Sequence, residues 1–347
     1  MATNKLLDRL KDGGSIVIAE GYVWELERRG FVKIGSQIPE VVLEKPDEVE
    51  LLHEEFCLAG SDVVEAFTYY AHRAYMRRFG REGDLERLNR NAMKIARKVA
   101  SRHNKLVAGG LSNTPLYKKN DTESHKEIYE MFKEQVTWFV EEGADYIIGE
   151  TFDSLGEAEI ALKVIKEHGK GCPAVITMAA YFPDQTTDNV PFPEALKRLE
   201  DQGAAVVGLN CSRGPETMLP LLKEVRKVCK GPLAALPVPY RTTEKEKTFY
   251  ALTDPVTGAD VYTRNLDVVR SSRDEIRKFA EDVKAIGVQY IGLCCGAYPS
   301  LIREVAEVYG KNPPASKYAM DLTKGPYTLG ANPTAEMLKL RKYKTGK

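Results

Sequence analysis

Eight short apolar runs, separated by stretches with helical periodicity, limit the fold of this 347-residue chain more than any other feature. Each run is continuously apolar, which is typical of strands that are buried on both faces of a parallel sheet. The stretches between them carry apolar residues at helical spacing, as in residues 156–168 and in the segment that starts at Pro215. Strands that alternate with helices in this way predict an α/β protein, a closed (β/α)8 TIM barrel. The runs are residues 16–19, 63–67, 106–110, 146–149, 174–178, 205–209, 233–237 and 289–293.

The chain is predicted to form one barrel followed by a short tail. We place the barrel at residues 1–312, with a polar, turn-rich insertion at about residues 240–272 that is expected to lie over the mouth of the barrel. From residue 313 onwards the chain is enriched in Pro, Gly and Lys. Residues 313–347 are therefore predicted to be an irregular C-terminal tail.

The charge composition excludes several classes of partner. The chain has 50 basic and 50 acidic side chains, so no basic surface for nucleic acid or for an anionic membrane is indicated. No apolar run approaches the roughly 20 residues that span a bilayer, and the N-terminus lacks an apolar signal segment. We expect a cytoplasmic protein that acts on small molecules. Its six cysteines should then stay reduced, which favours metal binding or catalysis over disulfides.

Three cysteines follow predicted strands, at the places where a barrel collects its catalytic residues. Cys211 follows the sixth run, and the adjacent Cys294 and Cys295 follow the eighth. The carboxyl ends of barrel strands meet at one face, so these thiols are expected to lie together. Thiolates are common zinc ligands, and a catalytic zinc has three protein ligands and one open position, so the set predicts a catalytic Zn2+ site. The other cysteines, expected to be small buried side chains, are Cys57, Cys172 and Cys229.

Polar residues at other strand ends are candidates for substrate binding. Glu20 follows the first run and Glu150 follows the fourth. A carboxylate that emerges from a buried strand needs a partner for its charge, and the ammonium group of a substrate would supply one. Asn210, beside Cys211, is expected to anchor polar groups in the same mouth.

Aromatic residues after the first two strands indicate a place for a cation. Tyr69 and Tyr70 follow the second run, and Tyr22 and Trp24 follow the first. An aromatic face attracts an ammonium or sulfonium group by about 0.5–2 kcal/mol, depending on desolvation. Simple packing beneath a loop is the alternative role for each of these rings.

The histidines are not predicted to bind metal. Four of the five lie in polar helical or loop contexts and are expected at the surface; His72 follows the aromatic group, and its place at the mouth stays open. The four are His53, His103, His125 and His168.

The two cysteine motifs carry a resemblance to a known family. Residues 208–211 with Gly214-Pro215, and residues 292–296 with Pro299, resemble the zinc motifs of the homocysteine S-methyltransferase family. The similarity runs over about residues 6–316 and is greatest with the betaine-using branch. It implies that the three cysteines hold Zn2+ and that the thiolate of homocysteine takes the fourth position. It also implies an onium methyl donor and a set of substrate-binding residues, Glu20, Gly21, Glu150, Tyr69, Tyr70 and Asn210.

This sequence departs from the family pattern in ways that concern the methyl donor. Glu20 stands where the family usually has Asp, and Leu293 where it has Gly. Gln37 replaces a Trp and Thr151 replaces a Tyr of the betaine pocket, which predicts a weaker aromatic cage. The C-terminal region is shorter than the oligomerising arm of the animal betaine enzymes, so their tetramer is not carried over and a homo-oligomer stays a possible outcome.

Three functions are therefore in view. The first is methyl transfer to homocysteine from glycine betaine or a related onium compound, giving methionine. The second keeps the acceptor and uses a sulfonium donor, either S-methylmethionine or dimethylsulfoniopropionate. The third is a non-catalytic barrel with a structural zinc, which would have a fourth protein ligand, or with a redox pair at Cys294 and Cys295.

Overall fold

Eight parallel strands form the barrel that the sequence predicts. The structure is a computed structural model and describes residues 5–33, 38–181 and 183–319, together with Ala335, Lys339 and Lys342–Lys344. The strands are hydrogen-bonded in the order β1-β8-β7-β6-β5-β4-β3-β2, and every pairing is parallel. The (β/α)8 prediction is confirmed. The strands are β1 Ile16–Ala19, β2 Val63–Glu65, β3 Leu106–Ser112, β4 Tyr146–Phe152, β5 Ala174–Met178, β6 Val206–Asn210, β7 Leu233–Leu236 and β8 Val288–Leu293.

An aspartate joins β1 to β2 and completes the ring. The amide of Asp62 donates to the carbonyl of Val17 at 2.7 Å, and the Asp62 carboxylate accepts from the Val17 amide at 3.0 Å. Asp145, just before β4, forms the same pair of hydrogen bonds with Val107 of β3, at 2.8 and 2.9 Å. A carboxylate therefore replaces a strand carbonyl at two positions, so backbone donors at the amino end of the barrel have partners.

Helices lie between the strands, as expected for crossover connections in an α/β barrel. No helix in the described part of the chain is long and apolar enough to cross a membrane. The helices are α1 Lys5–Leu10, α2 Tyr22–Arg28, α3 Val41–Glu44, α4 Pro46–Leu58, α5 Arg73–Arg78, α6 Leu85–His103, α7 Thr122–Glu141, α8 Leu155–His168, α9 Phe192–Asp201, α10 Pro215–Val228, α11 Arg273–Ala285 and α12 Pro299–Val308.

The barrel interior is filled by side chains and is closed beneath its mouth. Ile18, Ile148 and Val175 belong to one buried apolar cluster within the ring. Two tyrosines cross the same space, and the hydroxyl groups of Tyr146 and Tyr290 lie 2.9 Å apart in a hydrogen bond. These residues form a solid floor, so ligands reach only the carboxyl ends of the strands.

The segment between β7 and α11 packs on the carboxyl end of the barrel. Phe249, Leu252 and Val261 from this segment share an apolar cluster with Cys211 and Cys294. The segment occupies most of the region predicted as an insertion, and it forms one wall above the strand ends. Of the predicted tail, residues 313–319 include a short 3-10 helix, Pro314–Tyr318, and most of the remainder lies outside the described residues.

Candidate active site at the carboxyl end of the barrel

One cavity at the carboxyl end gathers most of the residues that the sequence singles out. We call it the mouth cavity. It is lined by three thiols, two carboxyl groups and a majority of aromatic and small residues. Its lining residues are Gly21, Tyr22, Val23, Trp24, Glu65, Ala66, Phe67, Tyr69, Tyr70, Glu150, Thr151, Cys211, Phe249, Tyr250, Tyr262, Cys294 and Cys295.

The three predicted metal ligands form a cysteine cluster, Cys211, Cys294 and Cys295. The sulfur of Cys295 lies 3.6 Å from that of Cys211 and 3.9 Å from that of Cys294, and all three sulfurs lie within 4.8 Å of one another. A tetrahedral zinc about 2.3 Å from each sulfur sets the sulfurs about 3.8 Å apart. The spacing fits such an ion. No fourth His, Cys, Asp or Glu lies within this distance of all three sulfurs among the described residues, and Glu20 and Glu150 form a neighbouring group with Cys294 alone.

Cys211 reaches the cluster through an unusual backbone turn. Cys211 and Ser212 have φ of 56° and 61°, a left-handed conformation that is costly for residues other than glycine. Buried hydrogen bonds hold this turn: Ser212 Oγ donates to the carbonyl of Ala180 at 3.0 Å, and Arg213 Nε donates to the same carbonyl at 3.0 Å. Hydrogen bonds to the loop after β5 therefore stabilise the left-handed backbone of Cys211 and Ser212.

The thiols of the cluster share protons. Hydrogen bonds from Cys294 and Cys295 hold the pKa of Cys211 well below its usual range. The interaction with Cys211 is the largest cause that raises the pKa of Cys294 and of Cys295 well above the usual range. The cluster therefore favours a single thiolate, and a divalent cation would keep all three sulfurs ionised.

Gly21 is required by close packing against the cysteine pair. A Cβ at this position would lie 2.6 Å from the carbonyl oxygen of Cys294 and 2.8 Å from the amide nitrogen of Cys295. Gly21 also has φ of 80° and precedes the first residue of α2. The absence of a side chain thus lets the loop after β1 touch the metal-ligand loop after β8.

Asn210 joins the predicted carboxylates to β4. Its amide nitrogen donates to Thr151 Oγ1 at 2.8 Å, and lies 3.3 Å from Glu20 Oε2 and 3.4 Å from Glu150 Oε2. Its oxygen accepts from the Thr151 amide at 2.9 Å. Thr151 has φ of 63°, and the β4–β5 register shifts between Gly149 and Phe152. This irregularity at the end of β4 accompanies the placement of Glu150 in the mouth cavity.

The carboxyl groups at the mouth are buried without a cationic side chain among the described lining residues. Burial raises the pKa of Glu20 to about 8 and raises that of Glu150 well above its usual range. Glu20 Oε1 is buried and has no hydrogen-bond partner. Such groups are arranged to receive a positive charge or a proton.

Sequence reasoning missed a third carboxyl group, Glu65, at the end of β2. Its side chain is only 3% exposed and lines the mouth cavity with Glu150. Burial, and then the charge of Glu20, raise its pKa well above the usual range. The signal was available, because Glu65 is a carboxylate within the otherwise apolar run of residues 63–67.

Aromatic rings form two walls of the mouth cavity. Tyr69 and Tyr70 lie on one side, where Tyr70 stacks on Tyr75 with ring centroids 3.9 Å apart. On the other side the ring of Tyr262 lies 6.1 Å from Trp24 and 4.7 Å from Tyr250. The four rings named from the sequence all line the cavity, whereas the rings of Phe249, Tyr250 and Tyr262 were not foreseen.

Two histidines, His53 and His72, lie in the protein interior. His53 was expected at the surface, but its side chain is buried in α4 and its ring meets Tyr22 edge-on at 4.9 Å. The prediction is wrong because the polar residues around it cover the outer face of α4 only. His72 is also buried and lies behind Tyr70 rather than in the cavity lining. Gln37, the other departure from the betaine pocket, lies outside the described residues.

Comparison with known proteins identifies the family. The model of the homocysteine S-methyltransferase family matches residues 17–309. The chain belongs to this family. It is 36% identical to the S-methylmethionine–homocysteine S-methyltransferase BHMT2 of Pongo abelii over 91% of this chain and 85% of that protein. It is 34% identical to the betaine–homocysteine S-methyltransferase 1 of Mus musculus over 91% and 78% of the two chains.

A solved structure shows the same fold. The metallated form of the homocysteine methyltransferase MmuM from Escherichia coli matches with a TM-score of 0.68 and 19% identity, over 87% of this chain and 98% of that one. The resemblance inferred from the cysteine motifs is confirmed, and the protein is an enzyme of the homocysteine S-methyltransferase family. The family relatives include both betaine-dependent and S-methylmethionine-dependent enzymes.

Proposed function

We propose that this protein moves a methyl group from a small onium donor to the sulfur of homocysteine, giving methionine, with Zn2+ held by the cysteine cluster. The observation that carries the proposal is a single cavity that contains three thiols at zinc spacing, buried carboxyl groups and aromatic walls. Each part suits one component of the reaction. We keep a cytoplasmic location and a possible homo-oligomer as predictions.

The cysteine cluster suits a catalytic zinc. Its three sulfurs have tetrahedral spacing and no fourth protein ligand among the described residues, which argues against a structural zinc. When bound, zinc would hold the homocysteine sulfur as a thiolate near neutral pH. Cys211, Cys294 and Cys295 supply negative charge to the ion, which keeps that sulfur electron-rich.

The carboxyl groups beside the cluster suit the amino-acid end of homocysteine. Glu20 and Glu150 are close enough to share the Asn210 amide, so an ammonium group near Asn210 can contact both. Asn210 contacts both carboxyl groups, and Thr151 Oγ1 donates to Glu150 Oε2 at 3.4 Å. Gly21 keeps the loop after β1 against the cysteine pair, which brings Glu20 next to the metal site.

The aromatic walls suit an onium donor. Tyr69 and Tyr70 face a second group of rings from α2 and from the segment after β7, and a cation between such faces is stabilised by about 0.5–2 kcal/mol per ring. The methyl group passes from the donor nitrogen or sulfur to the homocysteine sulfur, and the electron pair of the broken bond stays with the donor as a neutral amine or sulfide. The apolar walls keep water away from the transferred group.

The donor is either glycine betaine or a sulfonium compound. Thr151 brings no ring to the cavity, which agrees with the sequence-based expectation of a changed betaine pocket, yet Tyr250 and Tyr262 add rings that this expectation did not include. The S-methylmethionine-dependent relative favours a sulfonium donor as the second candidate.

A donor panel tests the proposal. Zinc-loaded protein is assayed for methionine formation from homocysteine with glycine betaine, S-methylmethionine and dimethylsulfoniopropionate. At least one donor should give turnover, and Cys211→Ala, Cys294→Ala and Cys295→Ala should each abolish it and lower zinc stoichiometry. Cys172→Ala, a thiol outside the cluster, is the control. Full zinc retention in all three variants, or no methionine with any donor, contradicts the proposal.

A further inference from the structure

Arg270 lies beside the cysteine pair, and the proposed function does not use it. It follows a 3-10 helix, Leu266–Val269, near the end of the segment between β7 and α11, and its side chain is only 12% exposed. Its Nη1 donates to the carbonyl of Gly296 at 2.5 Å. Gly296 follows Cys295 directly, so a largely buried guanidinium reaches the turn that carries two cysteines of the cluster.

The turn from Cys294 to Ala297 is tight and has no side chain at its corner. The amide of Ala297 donates to the carbonyl of Cys294 at 2.9 Å, and Gly296 has φ of 92°. A Cβ at Gly296 would lie 2.6 Å from Cζ of Tyr240, so only glycine fits there. The corner is therefore held through its backbone, and Arg270 binds the Gly296 carbonyl.

The guanidinium of Arg270 is itself held in one orientation. Asp267 Oδ1 accepts from its Nε at 2.9 Å and from its Nη2 at 2.5 Å. Its central carbon lies 5.1 Å from the ring centroid of Tyr240 and 5.0 Å from that of Tyr298. The backbone of Arg270 also pairs with Tyr240 in an antiparallel bridge. Because these contacts orient the planar group, little side-chain freedom is lost when it donates to Gly296.

These contacts favour an effect on the turn over an effect on the whole fold. The side chain of Asp267 is 62% exposed, and an ion pair with an exposed partner contributes little to stability. The hydrogen bond to Gly296, in contrast, lies one residue from Cys295, whose sulfur is 3.6 Å from that of Cys211. Groups that orient metal ligands through hydrogen bonds typically change metal affinity by about 10- to 100-fold.

We propose that Arg270 is a positioning residue for the metal site: it holds the turn so that the sulfurs of Cys294 and Cys295 face Cys211. The inference deepens the proposed function and rests on it for the presence of zinc. The segment between β7 and α11 then has two roles. It brings Tyr262 to the mouth cavity, and through Arg270 it fixes two metal ligands.

Arg270→Met tests the inference, because Met keeps an unbranched side chain but removes the donor and the charge. The Kd for zinc, measured by competition with a chelator, should rise by at least about ten-fold. The thiolate-to-cobalt absorption of the Co2+-loaded protein should change as well. Arg270→Lys keeps a donor for Gly296 and should recover part of the affinity. Asp267→Asn changes an exposed position, should cause a smaller rise in Kd, and covers the case in which Arg270→Met does not fold.

Two control variants separate positioning from stability. Arg28→Met removes a guanidinium that lies 5.7 Å from the ring centroid of Tyr298 and hydrogen-bonds to Glu25 rather than to the turn. Arg273→Met removes hydrogen bonds to the buried carboxylate of Glu304 and should destabilise the fold. Both should keep the zinc Kd of the unchanged protein, while urea unfolding of the metal-free proteins measures stability separately.

These measurements do not depend on methionine formation. An unchanged protein that binds zinc but forms no methionine rejects the proposed function alone. A zinc Kd in Arg270→Met within about two-fold of that of the unchanged protein overturns the inference alone, and so does an equal loss of zinc affinity in Arg28→Met or Arg273→Met. An unchanged protein that binds no zinc overturns both.

Discussion

At the scale of single residues, Gly21 shows how the cysteine cluster depends on a position that has no side chain. The loop after β1 touches the peptide between Cys294 and Cys295, and only a glycine leaves room for that contact. Glu20, the residue before it, is held beside Cys294 by the same contact. A residue without a side chain thus sets the distance between the acid and the thiols.

We predict that Gly21→Ala lowers zinc occupancy and kcat/KM by at least about ten-fold, since the added Cβ would overlap the carbonyl of Cys294. Gly30→Ala is the matched control, because Gly30 has φ of 81° and nothing lies within 4 Å of the added Cβ. The control carries the same backbone penalty of about 1–2 kcal/mol without the clash. Metal analysis and steady-state kinetics check both variants; equal losses would show that backbone strain alone matters.

At the scale of elements, the segment between β7 and α11 contributes aromatic rings to the mouth cavity. Tyr262 packs edge-on against Phe249 at 5.3 Å and lies beside Trp24. The segment is anchored below by its apolar cluster with Cys211 and Cys294. Its rings and the cysteine cluster therefore line one continuous surface.

We predict that Tyr262→Leu raises KM for the onium donor by about two- to thirty-fold, the loss of one cation–π contact. KM for homocysteine should change less, because Tyr262 comes from the donor wall. Tyr318→Leu, a ring that is 77% exposed and outside the cavity, provides the control. Both KM values are measured by titrating the donor and homocysteine separately at fixed zinc. A larger increase in KM for homocysteine than for the donor would mean that Tyr262 does not contact the donor.

Helix α4 should give the fold a sensitivity to acid. Burial lowers the pKa of His53 to about 3, so the folded state binds fewer protons than the unfolded state once the pH falls below the unfolded pKa. The stability that comes from neutral His53 is present above about pH 6.5 and is lost as the pH falls towards 3.

We predict that His53→Phe gains about 2 kcal/mol of unfolding free energy relative to the unchanged protein when the pH is lowered from 7 to 5. Subtracting the unfolding free energy of the unchanged protein from that of the variant at each pH cancels the contributions of other titrating groups, including buried His72. Urea unfolding at both pH values measures it. A constant difference across this range would mean that His53 becomes protonated in the folded protein.

The periodicity of the sequence was enough to predict the strands and the residues at their ends. Cys211, Cys294, Glu20 and Glu150 follow apolar runs directly, and in a parallel barrel that position alone brings them together. Tyr262 could not be predicted in the same way, since its contact with Trp24 depends on the path of an irregular segment with no period. The left-handed turn at Cys211 was hidden too, because hydrogen bonds from a distant loop support it.

At the scale of the whole molecule, the cysteine cluster connects β6 to β8 across β7. A bound ion would tie together parts of the folded chain about 80 residues apart, so its binding free energy would add to the stability of the fold. The barrel is otherwise closed by hydrogen bonds, including those of Asp62 between β1 and β2.

We predict that removing the metal with a chelator lowers the thermal midpoint by about 5 °C or more, since binding to the folded state alone stabilises a chain of this size by about 2 °C per kcal/mol. Cys211→Ser should have a lowered midpoint that no longer responds to the chelator. Cys57→Ser should still respond, because Cys57 is buried on α4 away from the cluster. Calorimetry with and without chelator provides the comparison; an unchanged midpoint for the native protein would argue against a folded-state metal.

The acidic and aromatic lining of the mouth cavity has a consequence for turnover. In the proposed reaction the donor arrives with a positive charge on the atom that carries the methyl group, and it is uncharged at that atom once the methyl group has gone. The aromatic rings then lose the charge that attracted the donor. The spent donor should therefore dissociate readily and be a weak product inhibitor.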